Sequence, residues 1–324
     1  RKVCKFGLHT FFIDSVKKLL TTACIWCIYL YTQLMHGGEM MLLQLKDISK
    51  SLGKFRIKDI SVELPEGYIM GLIGPNGSGK TSLIHIILGL YKANAGELLI
   101  DGMSYEDSEV EIRNLIGTVL LDELFDHSAT LKENGINYGA YYKNFNIETL
   151  EMYMKRFGLD GDRKFKKLSK GEKLKFQFAF ALSYEAKLLI LDEPTAGLDV
   201  IMRNELLDML REYMEDDRRG ILISSHISTD LEGLCDDFYM ISNGEIIIHE
   251  ETDVLLSEYG ILKLTDDQYD TIDKQYIIAT KREKFGYLCL TNQKDFYQEN
   301  YPQIAIEKGN IDDFIIIMVQ GERK

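Results

Sequence analysis

Hydrophobic positions along this chain fall into short blocks rather than sustained heptads. Tyr68–Ile73, Leu188–Leu191 and Ile221–Ile223 are continuous apolar runs of strand length. Such runs suit strands of a parallel sheet covered on both faces. Leu42 to Asp47 alternates like a first strand with one buried face. Thr81–Leu90 is apolar and helix-compatible. Lys170–Glu185 reads as a helix with one hydrophobic face, with Ser169 as N-cap and Glu172 at the capping-box spacing. Asp237–Ser242 and Glu245–His249 flank Asn243-Gly244, a strong hairpin signal. After Tyr259-Gly260, the runs Gln275–Ala279 and Gly286–Leu290 predict strands of a small α+β module. The segment from Asn310 to Glu322 predicts a capped helix starting at Asn310 or Asp312.

Composition agrees with a sizeable α/β core. The chain has 324 residues, 45% of them hydrophobic, and only 4 prolines. Its net charge of −13 argues against non-specific nucleic-acid binding, which needs a basic surface. The 5 cysteines are scattered and odd in number, so free thiols in a reducing compartment are expected. Cys24 and Cys27 form a C-x-x-C pair with no second pair and no histidine at zinc spacing.

The candidate chemistry starts at Gly74-Pro75-Asn76-Gly77-Ser78-Gly79-Lys80-Thr81, which has the form G-x-x-x-x-G-K-[ST]. Glycines let the backbone curl so that successive N–H groups point at phosphate oxygens. Lys80 reaches the β- and γ-phosphates and the Thr81 hydroxyl can bind Mg²⁺. A strand before and a helix after put the phosphates on a helix N-terminus. Leu188 to Pro194 is a buried run ending in Asp192 and Glu193, suited to a metal-side carboxylate and a general base. Leu168-Ser169-Lys170-Gly171-Glu172 opens a helix 20 residues ahead of that strand. His226 ends the next apolar run, 33 residues after Glu193. A lone histidine there is ordinarily structural, but this spacing also suits a γ-phosphate sensor.

Taken together, these segments resemble the nucleotide-binding subunit of ATP-binding cassette (ABC) transporters. GPNGSGKT is similar to the family's Walker A, LLILDEP to its Walker B, LSKGE to its signature, AGLD to its D-loop and SSH to its switch histidine. The resemblance covers about residues 41–250 and implies an α/β P-loop NTPase cassette: a mixed sheet with parallel ATP-binding strands and a helical lobe around residues 122–185. It implies ATP and Mg²⁺ as ligands and a head-to-tail dimer with a second copy or homologous subunit. Asn76, Gly77, Ser78, Gly79, Lys80, Thr81 and Ser82 then resemble phosphate contacts. Thr81 and Asp192 resemble Mg²⁺ contacts, and Glu193 and His226 the catalytic base and switch. Ser169, Lys170, Gly171 and Glu172 resemble signature residues acting on the partner's ATP. Asp199 resembles the D-loop residue that couples the two sites.

Three positions depart from the family pattern. The usual signature is LSGGQ, whereas Lys170 and Glu172 stand at its third and fifth places. Lys170 either assists a γ-phosphate or faces solvent. The glutamine after Ile116–Leu121 is missing, and Asp122 or Glu123 stands near its place as a holder of metal-bound water. The adenine-stacking aromatic aligns with Leu52, and Phe55 either supplies the ring or packs in the core.

Residues 1–39 are expected to lie outside the cassette. Leu19–Leu34 is too short and too interrupted for a membrane span, which needs about 20 predominantly apolar residues. The segment reads as a basic amphipathic or signal-like extension, or as non-native sequence ahead of a natural start at Met40 or Met41. Residues 251–324 are expected to be an accessory module similar to the tails of bacterial ABC-2-type cassettes. The expected function is to energise a membrane transporter, an exporter by that resemblance, from the cytoplasmic face through a separate transmembrane permease. The alternative is a soluble ABC ATPase of the translation or DNA-repair kind. Those commonly carry two cassettes or long coiled coils, and this chain has one motif set and an acidic charge.

Overall fold

The computed structural model describes residues 40–120, 124–228 and 231–323. Met41–Lys324 forms one compact unit. Its strands are β1 Met41–Leu52, β2 Phe55–Pro65, β3 Ile69–Ile73, β4 Ala95–Ile100, β5 Ile116–Val119, β6 Leu188–Asp192, β7 Gly220–Ser225, β8 Asp237–Ser242, β9 Glu245–Glu251, β10 Gly260–Leu264, β11 Ile277–Glu283, β12 Gly286–Thr291, β13 Ala305–Glu307 and β14 Glu322–Arg323. Its helices are α1 Lys80–Ile87, α2 Tyr105–Leu115, α3 Leu131–Gly139, α4 Ile147–Arg156, α5 Lys170–Leu182, α6 Val200–Tyr213, α7 Thr252–Ser257, α8 Asp266–Thr271, α9 Lys294–Asn300 and α10 Ile311–Gln320.

The central sheet has six strands in the order β5-β6-β7-β3-β8-β9. All neighbours are parallel except β8 and β9, which form the antiparallel closing hairpin. The continuous apolar runs are its inner strands, and every residue of β3, β6 and β7 is buried. Alternate side chains go to opposite faces. Leu188, Ile190, Leu222, Met70 and Leu72 enter one core with α1 and the antiparallel sheet β2-β1-β4. Leu189, Leu191, Ile221, Ile223 and Ile73 enter the other, with α5 and α6. Burying each such side chain stabilises by roughly 1.5–3 kcal/mol, which is why these runs carry no polar residue until their C-terminal ends.

Helices α3, α4 and α5 form a lobe whose centre is aromatic. Phe125 packs on Phe176 (ring centroids 4.9 Å apart), Phe180 (5.3 Å) and Phe165 (5.5 Å). Both ends of the lobe's sequence are capped. Thr130 makes a capping box with Glu133 on α3, and Ser169 makes one with Glu172 on α5.

The C-terminal residues form a third sheet, β13-β10-β12-β11-β14. α10 starts with Asn310 as N-cap, in a capping box with Asp313. The module is not walled off near residue 250. Tyr259, Ile261, Ala279, Leu290, Ile311, Phe314 and Ile317 belong to the same core as Ile73, Leu191 and Phe238 of the central sheet. Among the described residues, a smaller cluster around Leu262, Cys289 and Tyr297 is internal to it.

The β8–β9 hairpin turns at Asn243 (φ 50°) and Gly244 (φ 78°), the paired positive φ of a type I′ turn. A Cβ at Gly244 would lie 2.0 Å from the carbonyl oxygen of Arg56, and the Gly244 amide donates to the Ser78 carbonyl at 2.8 Å. Gly244→Ala is therefore expected to cost about 1–3 kcal/mol and to loosen the loop that carries Ser78. Thermal denaturation with and without ATP checks this, the shift between the two shrinking in the variant.

Candidate functional site

Parallel strands place their C-terminal ends side by side, and in open α/β sheets ligands bind at that edge. Here β6, β7 and β3 are adjacent, with Asp192 paired to Ser224 and Ile73 to Ser225. The sheet therefore delivers Gly74, Glu193 and His226, each the residue just past a strand end, to one place.

The loop after β3 is shaped by its glycines. Gly74 has φ 152°, and a Cβ on it would meet the Ile241 carbonyl oxygen at 2.1 Å. The loop enters α1 with Gly79 as N-cap and no side-chain cap. The first-turn N–H groups are thus left for an external acceptor, and with the dipole they suit an anion. Ser78 is buried, and its hydroxyl has no hydrogen-bond partner among the described residues. Asn76 and Gly77 are exposed at the loop's tip, and Ser82 is half-buried on the first turn. The Phe55 ring is half-buried and packs beside Gly79, where a Cβ would meet it at 3.0 Å. It joins the core on that side.

Lys80 is 5% exposed and folds back over the loop. An ammonium has three donors, and Nζ finds three acceptors: the carbonyls of Gly74 at 2.8 Å and Pro75 at 3.3 Å, and Glu193 Oε1 at 3.2 Å. Glu193 Oε2 lies 2.5 Å from His226 Nδ1 and accepts from the His226 amide at 3.3 Å. One carboxylate thus bridges the lysine and the histidine. Glu193 stands in the left-handed region at φ 50°, a conformation costing a non-glycine residue roughly 1–2 kcal/mol. That turn aims its side chain out of the strand line toward the loop.

Next to it, Thr81 Oγ1 donates to Asp192 Oδ2 at 2.8 Å, and Ser224 Oγ donates to Asp192 Oδ1 at 2.5 Å. Ser224 Oγ also accepts from the Glu193 amide at 2.9 Å. Ser224 is fully buried. It fixes both acidic residues, and the sequence reading passed over it because its role depends on β6 and β7 being neighbours. A hydroxyl and a carboxylate side by side are hard oxygen donors of the kind a small divalent cation takes.

The signature-like residues lie at the N-terminus of α5, in the lobe. Ser169 and Glu172 bond reciprocally, the Ser169 amide to Glu172 at 2.8 Å and the Glu172 amide to Ser169 Oγ at 3.3 Å. Arg163 Nη1 donates to Glu172 Oε1 at 2.5 Å, which with the Ser169 bonds holds that carboxyl below its usual range. Gly171 is buried against Met202. Lys170 is exposed, and its ammonium donates to the Ala196 carbonyl in the D-loop-like turn. Asp199 caps α6, accepting from the Met202 amide at 2.9 Å.

Asp122 and Glu123 lie outside the described residues, as does the 1–39 segment. Just before them, the Leu120 amide donates to Gln177 Oε1 at 3.0 Å. Gln177 of α5 is 4% exposed, a buried polar residue the sequence did not single out. Its signal was a glutamine on the apolar face of a helix. Among the described residues, no helix is long and apolar enough to cross a membrane.

Comparison with known proteins gives a consistent set of matches. Residues 57–196 match the family model described as ABC transporter. The uncharacterized ABC transporter ATP-binding protein YdbJ of Bacillus subtilis is 35% identical over 63% of this chain and 68% of its own length. The ABC transporter ATP-binding protein YtrB of the same organism is 27% identical over 87% of this chain and 100% of its length. A solved structure titled as the ATP binding subunit of an ABC transporter superposes with a TM-score of 0.61. That match is 28% identical and covers 66% of this chain and 91% of that one.

Proposed function

This chain belongs to the ABC transporter ATP-binding proteins, and on that premise we propose that it energises a membrane transporter as one half of a head-to-tail dimer beneath a separate permease. The fold is the P-loop ABC cassette and the activity is that of an ATPase. The observation that carries the reading is the carboxylate of Glu193 held between Lys80 and His226 at the mouth of an uncapped phosphate loop.

The chain's own groups divide the work. Phosphate oxygens replace the Gly74 and Pro75 carbonyls as acceptors for Lys80, whose charge is worth more in this dry setting than in water. That exchange loosens Lys80 from Glu193 and frees Oε1 to accept a proton from water. His226, already in contact with Glu193, moves with it and donates toward the terminal phosphate. Thr81 Oγ1 and Asp192 are the residues that would hold Mg²⁺, and Asp122 is the further carboxylate that the sequence pattern offers for it. When bound, the ion neutralises charge on the phosphates. Removing divalent cations with EDTA is expected to abolish turnover, and adding back Mg²⁺ to restore it, in a phosphate-release assay.

The dimer is supported by where the signature-like residues put their hydrogen bonds. Ser169, Lys170 and Glu172 bond within their own lobe and to the D-loop-like turn. Their exposed α5 N-terminus is left to meet a nucleotide carried by another copy. Location at the cytoplasmic face through the permease follows from that role. The export direction rests on the similarity of the C-terminal module to ABC-2-type tails.

Purification from detergent-solubilised membranes tests the role. A polytopic membrane protein co-purifying in stoichiometric amount is expected. Association with ribosomes and no membrane partner would transfer the chain to the soluble class of ABC ATPases.

A further inference from the structure

We propose that Asp312, at the start of the last helix of the C-terminal module, is a positioning residue for the switch histidine of the ATP site. The inference rests on the functional reading of Glu193 and His226. It adds to that reading a part of the chain that carries none of the nucleotide motifs.

The segment after β7 is short and tightly bonded. His226 meets Glu193, as described. Ser225 Oγ donates to the Ile227 carbonyl at 2.6 Å and accepts from the Ile227 amide at 3.0 Å, which fixes the segment on the strand side. On its far side stands Ser228, which is 0% exposed. Both of its donors, the backbone N–H and the hydroxyl, go to one oxygen, Asp312 Oδ1, each at 2.8 Å. These bonds join residues 84 apart in sequence. A second bond runs the other way, from the Ile311 amide to Glu232 Oε1 at 3.1 Å. The first turn of α10 and the segment downstream of His226 are thus stitched together in both directions.

The anchor is rigid. Asn310 and Asp313 cap α10 reciprocally, and Ile311, Phe314 and Ile317 are buried in the core shared with the central sheet. Ser228 is buried away from bulk solvent. An unpaired buried donor costs about 1–3 kcal/mol, so if the Asp312 oxygen is lost the segment must move to satisfy its N–H and hydroxyl. His226 is two residues away and sits where a small displacement matters. A misplacement of about 1 Å in a reacting geometry can cost about 10²-fold in rate. The phosphate loop has its own supports, from Ile241 and Gly244, and does not depend on this link.

The test is a set of variants of the full chain assayed for steady-state ATP hydrolysis. Asp312→Ala is expected to lower kcat about tenfold, with KM for ATP within about twofold because the binding loop is untouched. Asp312→Asn keeps an oxygen that can accept both Ser228 donors, and is expected to recover most of the lost kcat. Ser228→Ala removes one donor and is expected to fall between them. In a His226→Ala background, adding Asp312→Ala is expected to cost no further kcat, since residues acting through one another are non-additive. A merely structural role would move Tm, KM and kcat together and would add to the His226 loss.

Full kcat in Asp312→Ala, an additive loss in the double variant, or an Asn variant as impaired as the Ala variant would each overturn the proposal. If Asp312→Ala fails to fold, Ser228→Ala alone and with His226→Ala decides it by the same non-additivity. Glu193→Gln, run alongside, separates the two levels. Wild-type rates in that variant sink the underlying reading of the site. A Glu193→Gln that loses turnover, together with an unaffected Asp312→Ala, sinks only the positioning role.

Discussion

Glu193→Gln is expected to lower ATP turnover by about 10³-fold, the middle of the range for removing a general base. Glutamine keeps the length and branching of the side chain, so the left-handed backbone at φ 50° is no more strained than before. Its amide oxygen can still accept from Lys80, 3.2 Å away from the native carboxylate. What is lost is the ability to take a proton from water, together with the negative charge that bridges Lys80 and His226. The expected pattern is a collapsed kcat with nucleotide binding retained. Single-turnover hydrolysis and ATP binding on the same preparation check it. Equal rates for variant and wild type would remove Glu193 from the mechanism, and loss of binding would show that the carboxylate shapes the loop instead.

The largest effect on stability is expected from Phe176→Ala, at about 3–5 kcal/mol. Phe176 is fully buried on α5. Its ring packs edge-on against Phe125 at 4.9 Å and against Phe165 at 5.9 Å. Deleting it removes a fully buried ring of the lobe's aromatic cluster, and the surrounding rings are too large to refill the space by small shifts. Because α5 also carries Ser169 at its N-cap and Gln177 toward β5, loosening the helix disturbs both. Hydrogen exchange resolves the prediction, since fast opening is expected in α3, α4 and α5 while the central sheet keeps its protection. A uniform loss across the chain would instead show that the lobe has no separate stability.

Much of the site was legible in the sequence because its chemistry is local. Residues 74–81 contain their own backbone curvature, donor groups and cation, and an apolar run ending in Asp192-Glu193 states that a strand delivers carboxylates to an edge. The β8–β9 hairpin was equally plain, since Asn243-Gly244 admits the two positive φ values that the turn needs. Segment identity also survived well for α5 and α10, where the capping residues Ser169 and Asn310 sit at the expected helix starts.

What stayed hidden depends on which elements become neighbours. Nothing in the sequence singles out Ser224, and only the pairing of β7 with β6 places its hydroxyl on Asp192 and on the Glu193 amide. Lys170 is exposed, as one of its two readings has it, but the carbonyl that the turn after β6 brings to its ammonium is not written in the sequence. The boundary drawn near residue 250 follows a change in sequence character, yet α10 returns to fill the core of the central sheet.

The sequence by itself determined the family and pointed to the candidate reacting groups, because phosphate recognition and strand burial are written in a few consecutive residues. Only the tertiary structure decided which distant residues hold those groups in place. Ser224, Gln177 and Asp312 act through hydrogen bonds to residues 31, 57 and 84 positions away. Hydrogen bonds of that kind leave no periodicity or spacing in the chain, since they depend on the packing of whole elements and not on the residues beside them.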